Sequence, residues 1–198
     1  TLDGTLFPYT TLFRSVSILF ADIVGFTSLS AKLTPEELLQ LLNDVFIYFD
    51  SLVGRYKLEK IKTIGDCYMV AAGVPRPCSD HAARLVRMAL EVQSAMSTRT
   101  FGGHRLELRM GIHSGTVIAG VIGVTKYAFD LWGDTVNRAS RLESLAAGGE
   151  IVISLETYQL VEHAFLCEER GLREAKGVGV LRAWTVLREK SASERAAG

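Results

Sequence analysis

The chain has 198 residues and 48% hydrophobic content, enough for one α/β domain of ordinary size and cramped for a second. Lysine plus arginine equals aspartate plus glutamate at 22 each, which excludes the overall basic field that draws proteins onto nucleic acid, so any polyanion site must be local. The three cysteines have no CxxC spacing and read as reduced thiols of a cytoplasmic protein, and no apolar run approaches the roughly 18 to 20 residues needed to cross a bilayer.

In chain order, residues 1–15 stand apart. The stretch from Thr5 to Ser15 resembles an in-frame translation of a sequencing-library adapter, so it is set aside as a non-native or disordered leader. On that reading an upstream sensor or membrane anchor would have been lost with the natural start. Val16 to Ala21 is a short apolar run ending at Asp22, predicted as a buried strand that delivers the aspartate to a loop. Thr34-Pro35-Glu36-Glu37 supplies a capping threonine, a proline at the first helical position and a glutamate three residues after the cap. The helix that follows is predicted to turn Leu38, Leu42, Val45, Phe49 and Leu52 toward the core.

Lys57 to Thr63 and Cys67 to Ala72 flank Gly65-Asp66 and predict a hairpin with the second aspartate at its turn. Asp80 is expected to cap a helix reaching Met96. Leu106 to His113 and Thr116 to Ile122 are predicted as strands around Ser114-Gly115, and Lys126 to Leu131 as a further extended piece. A helix over Thr135 to Leu145 places Asn137 and Arg141, four apart, on one face. Ile151 to Ile153 and Leu181 to Leu187 are predicted strands, Leu155 to Val161 a short helix, and the tail from Arg188 frayed. Strands outnumber helices and include hairpins, so the class is α+β, with helices packed on a mixed, mainly antiparallel sheet.

Two aspartates, each beside a glycine at the edge of an apolar run, suit a pair of hard cations, because carboxylates are preferred Mg²⁺ ligands. Either alone would more commonly be a turn or capping residue. Val24-Gly25-Phe26-Thr27 can present backbone N–H groups to phosphate, with Thr27 adding a hydroxyl and Phe26 reading rather as a packing residue. His113 and Cys67 read as structural, although Cys67 adjoins Asp66 and its thiol would then report on that site.

Four separated motifs, FADIVGFT, KIKTIGDCYM, LRMGIHSGTVIAGVIG and FDLWGDTVNRASRLES, occur in one order and together resemble the catalytic domain of class III nucleotidyl cyclases, over residues 16–187. The resemblance implies a ferredoxin-like βαββαβ core and a site shared across a homodimer. It assigns Asp22, Asp66 and the carbonyl of Ile23 to two Mg²⁺ or Mn²⁺ ions per site, Lys62 and Asp130 to the purine, and Asn137 and Arg141 to the ribose and the reacting phosphate. Arg109 and Lys176 are assigned by position to the triphosphate, beside Gly25, Phe26 and Thr27. A lysine donor and an aspartate acceptor match the N1 and N6 edge of adenine, whereas guanine would favour glutamate at 62, so the expected substrate is ATP and the product 3′,5′-cyclic AMP. Lys60, read as lying on the same strand face, competes with Lys62 for this role. The alternatives are a guanylate cyclase, which Lys62 argues against, and a silent dimerisation or nucleotide-sensing module, which the presence of every motif residue argues against.

Overall fold

The computed structural model describes residues 10–122, 128–175 and 177–196. Its centre is the strand β1 (Thr10–Ile23), whose residues alternate between two cores. Leu19, Ala21 and Ile23 face one cluster, and Val16, Ile18 and Phe20 face another. Burial on both faces is why the sequence shows a continuous apolar run instead of a polar alternation.

β1 leads through a five-residue helix, α1 (Phe26–Ser30), into the long helix α2 (Pro35–Tyr56). The expected capping box forms: the Thr34 amide donates to Glu37 at 2.8 Å, and the Glu37 amide donates to Thr34 Oγ1 at 3.2 Å. The buried stripe of α2 is Leu41, Val45, Phe49 and Leu52. Leu38 and Leu42 are only partly covered, so the stripe begins at Leu41, one residue out of phase with the expectation. The hairpin of β2 (Glu59–Ile64) and β3 (Cys67–Ala72) turns on Gly65-Asp66, with Gly65 at φ 62°, a left-handed value suited to glycine. Helix α3 (His81–Thr98) returns the chain to β4 (Leu108–Ile122). Asp80 precedes α3 without a side-chain cap and pairs instead with Arg84 at 2.8 Å.

Strand order β2-β3-β1-β4, all antiparallel, with α2 and α3 on one face, is the ferredoxin-like core that was expected. Beyond it the sheet continues through β6 (Ile151–Ser154), β8 (Gly179–Glu189) and β7 (Phe165–Ala175), while β5 (Ala128–Trp132) pairs with the far half of β4. Only β4 and β6 run parallel among the described pairs. Helix α4 (Asp134–Leu145) packs on the opposite face through Ala139 and Leu142, and α5 (Leu155–Val161) covers the end of β6.

Several expectations are corrected. β4 is one strand, because Ser114 and Gly115 pair with Ser17 and Val16 in the ladder and do not turn. Gly115 is there for packing: a methyl group on it would meet Thr135 Oγ1 at 2.6 Å. Thr10 to Phe13, set aside with the leader, pair with Val117 to Gly120 as an exposed extension of β1. Over residues 188–196 the tail is structured where fraying was expected: β8 reaches Glu189, and α6 (Ala192–Ala196) follows, held by an Arg188–Glu194 pair at 2.7 Å. β7 was not foreseen at all.

A buried polar seam crosses the sheet. His81 is hydrogen-bonded through its two ring nitrogens to Ser15 (2.8 Å) and Ser17 (2.7 Å), Ser17 to Ser114 (2.6 Å), and Ser114 to Thr157 (3.0 Å). Thr157 meets Ser154 at 3.3 Å, and Ser154 meets His113 at 2.8 Å. Burial lowers both histidine pKa values, so the imidazoles sit neutral among hydroxyls. No helix among the described residues is long and apolar enough to cross a membrane.

Candidate active site

The register of β1 builds the acidic pocket. Ala21 pairs with Tyr68 on one side, and Asp22 pairs with Arg109 of β4 on the other. One step past Tyr68 the hairpin turns, so Asp66 arrives beside Asp22 at the same sheet end. Burial is the main cause raising the Asp66 pKa, and the charge of Asp22 raises it further. Arg109 forms an ion pair with Asp22 through Nη2, and its Nε lies 3.2 Å from Oε1 of Glu143 on α4. Glu143 is nearly enclosed, and burial pushes its carboxyl upward against the pull of Arg109.

Asp22, Asp66 and Glu143 thus face a single guanidinium, three acids to one base, and two negative charges remain unmatched when all are ionised. That surplus, on hard oxygen donors in a half-buried pocket, fits divalent cations. No group of three metal-ligating side chains converges among the described residues.

Glycine 25 has φ 69° and accepts hydrogen bonds at its carbonyl from the Ser28 and Leu29 amides, both at 3.0 Å, which sets the tight entry to α1. Phe26 packs against the core as expected, and Thr27 is exposed. Cys67 has its thiol pushed up to about 12, first by burial and then by Asp22, Glu143 and Asp66, which removes the basis for thiolate reactivity.

A second cluster joins the hairpin to β5. Lys62 of β2 forms an ion pair with Asp130 of β5, whose other oxygen accepts the Leu131 amide at 2.8 Å. Lys60 does not share that face. A bulge between Lys60 and Lys62 opposes Lys60 to Val70 and Lys62 to Met69, so the two lysines point to opposite sides of the sheet. Lys60 instead binds Asp50 of α2 at 2.8 Å and lies 5.1 Å from the ring centre of Tyr68. On α4, Asn137 and Arg141 are both exposed, and neither has a hydrogen-bond or ion-pair partner among the described residues. Lys176 lies outside the described residues. His113, bonded to Ser154, has a structural place.

Glu143 is the pocket residue that the sequence reading did not single out. The signal was present: Ala139, Leu142, Glu143 and Ala146 recur at helical spacing, so Glu143 falls on the buried stripe.

This mixed, mainly antiparallel sheet with flanking helices has the architecture that the nucleotidyl cyclase resemblance implies. A family model described as the adenylate and guanylate cyclase catalytic domain matches residues 9–188, and the chain belongs to that family. Adenylate cyclase of Mycobacterium tuberculosis (strain ATCC 25618 / H37Rv) is 41% identical over 183 residues, covering 92% of this chain and 41% of that protein. Retinal guanylyl cyclase 2 of Homo sapiens is 40% identical over 185 residues, covering 90% of this chain and 17% of that protein. The chain therefore spans less than half the length of either curated relative. The guanylate cyclase domain of RhGC from Catenaria anguillulae, solved with GTP, superposes with a TM-score of 0.89 at 35% identity, covering 91% of this chain and all of that one.

Proposed function

We propose that this cyclase domain is an adenylate cyclase, converting ATP to 3′,5′-cyclic AMP and pyrophosphate in a homodimer. The observation that carries the choice of purine is the Lys62–Asp130 pair, a donor and an acceptor held together on one face while Lys60 is committed elsewhere. Adenine offers an acceptor at N1 and donors at N6, so it satisfies both side chains, whereas guanine would set N1–H against the ammonium and O6 against the carboxylate.

In this reading the 3′-oxygen bonds to the α-phosphorus, the bond to the pyrophosphate oxygen breaks, and the hydroxyl proton leaves to solvent. Two Mg²⁺ or Mn²⁺ ions, held by Asp22, Asp66 and the Ile23 carbonyl, would lower the pKa of the hydroxyl and offset charge on the phosphates. Arg109 and Lys176 bind the triphosphate, with backbone amides of Gly25, Phe26 and Thr27 beside them. Asn137 orients the ribose, and Arg141, without a partner among the described residues, meets the charge that develops on the α-phosphate. Within one chain, no hydrogen bond or ion pair among the described residues joins the acidic cluster to Lys62, Asp130, Asn137 or Arg141. In this reading the site is completed by a second copy, as the family resemblance implies, with two sites per symmetric dimer.

The deciding experiment is cyclic nucleotide production by purified protein with ATP and with GTP, each in Mg²⁺ and in Mn²⁺. Cyclic AMP as the dominant product supports the assignment. Preferred use of GTP overturns the purine reading, and no product from either overturns the enzymatic one.

A further inference from the structure

One contact in the acidic pocket is unfinished. Arg109 Nε and Glu143 Oε1 stand 3.2 Å apart, yet both atoms are buried and neither makes a hydrogen bond. An orphaned donor beside an orphaned acceptor is unfavourable for both, and a modest turn of the guanidinium would satisfy them together. What opposes that turn is the bond from Nη2 to Asp22. Arg109 therefore stands at ion-pair distance from two acids and makes a hydrogen bond to one.

Glu143 is the immobile member of this group. Its helix backbone lies directly on Gly111 of β4, where an added methyl would stand 2.6 Å from the Ala139 carbonyl and closer still to the Glu143 amide. Ser144 Oγ stands 3.4 Å from its other oxygen and shares its one proton with the Ser140 carbonyl at 3.2 Å. Arg109, on a flexible stem, is the member that can move.

Resting on the site reading above, we propose that Glu143 is the positioning residue for Arg109 in triphosphate binding. When Asp22 turns to cations, Arg109 leaves it, closes the Nε bond to Glu143, and presents both Nη groups to the phosphates. Anchoring Nε converts a mobile point of charge into an oriented fork, the geometry that recognises phosphate oxygens in pairs. Without Glu143, the guanidinium has Asp22 as its one acidic contact and competes for the carboxylate that the cations need.

The test is calorimetric binding of 3′-deoxy-ATP, which lacks the attacking hydroxyl, in Mg²⁺, together with thermal melting of each variant. Glu143→Leu is expected to weaken binding by about tenfold, and Glu143→Gln, which keeps an acceptor oxygen, to recover part of that loss. In an Arg109→Ala background, Glu143→Leu is expected to add no further loss, because the effect passes through Arg109. Should the leucine variant melt below the assay temperature, Arg109→Lys serves instead: it keeps the charge, removes the Nε anchor, and is expected to show the same loss. An equal loss with and without Arg109, or no loss in either, overturns the role of Glu143 while leaving the site reading intact. Failure of the unaltered protein to bind 3′-deoxy-ATP overturns the site reading and this inference with it.

Discussion

At the residue scale, the lysine–aspartate pair makes the sharpest claim. Lys62→Glu is expected to lower kcat/KM for ATP by at least about a hundredfold, since a carboxylate would face the adenine acceptor and Asp130 together, and a buried mismatch of this kind discriminates strongly. Steady-state assays with ATP and GTP check it, and unchanged ATP turnover would remove Lys62 from the purine contact. The neighbouring Cys67 is expected to be inert: its thiol titrates near 12, so alkylation at neutral pH should leave activity unchanged. Most of the site was readable at this scale because its residues sit in motifs at fixed spacing. Glu143 was not, because the charge pattern of a helix says nothing of which strand lies beneath it. The face of Lys62 was misjudged against Lys60 for a related reason, since a bulge leaves no mark on an alternating run.

At the element scale, α4 carries Asn137 and Arg141 on one side and Glu143 on the other, and its seat is Gly111. Gly111→Ala places a methyl against helix backbone that cannot swing away, so a loss of about 3 kcal/mol is expected by denaturant unfolding. Thr34→Ala removes one half of the capping box of α2 and is expected to cost about 1 kcal/mol, with little effect on catalysis. The same comparison explains which elements were legible. Helices with caps and apolar stripes, and the glycine hairpin, announced themselves. β7 did not, because in FLCEERGLREA charged residues outnumber the buried ones, and a strand at the sheet edge needs no apolar alternation. The first residues of β1 were set aside on their resemblance to an adapter, yet threonine, leucine and phenylalanine there extend a ladder that β4 already offers.

At the scale of the whole molecule, two tests follow. If each site draws its acids from one copy and its Asn–Arg pair from the other, mixing Asp22→Ala with Asn137→Ala subunits should restore part of the activity that each lacks alone. No recovery despite proven subunit exchange would refute the shared site. The seam from His81 to His113 gives the second. Both histidines are depressed by burial below their ordinary value near 6.5, against weaker opposing pulls from Asp80 on His81 and Glu156 on His113. Their contribution to stability is fully present above about pH 6.5 and is lost as the pH falls through the depressed folded-state values. A melting temperature that is flat near neutrality and declines in mild acid is expected, with a shallower decline for His81→Asn. An unaltered slope in that variant would release His81 from the effect.

The extra residue between Lys60 and Lys62 has a consequence out of proportion to its size. In strict pleating Lys62, two residues beyond Lys60, would fall on the helix-covered side, where Asp50 and Tyr68 already engage Lys60. The hairpin would keep every functional group and lose the Lys62–Asp130 pair on which the proposed choice of purine rests. In this fold one irregularity of β2 decides which lysine meets Asp130, and a regular strand would undo what no change of chemistry was needed to create.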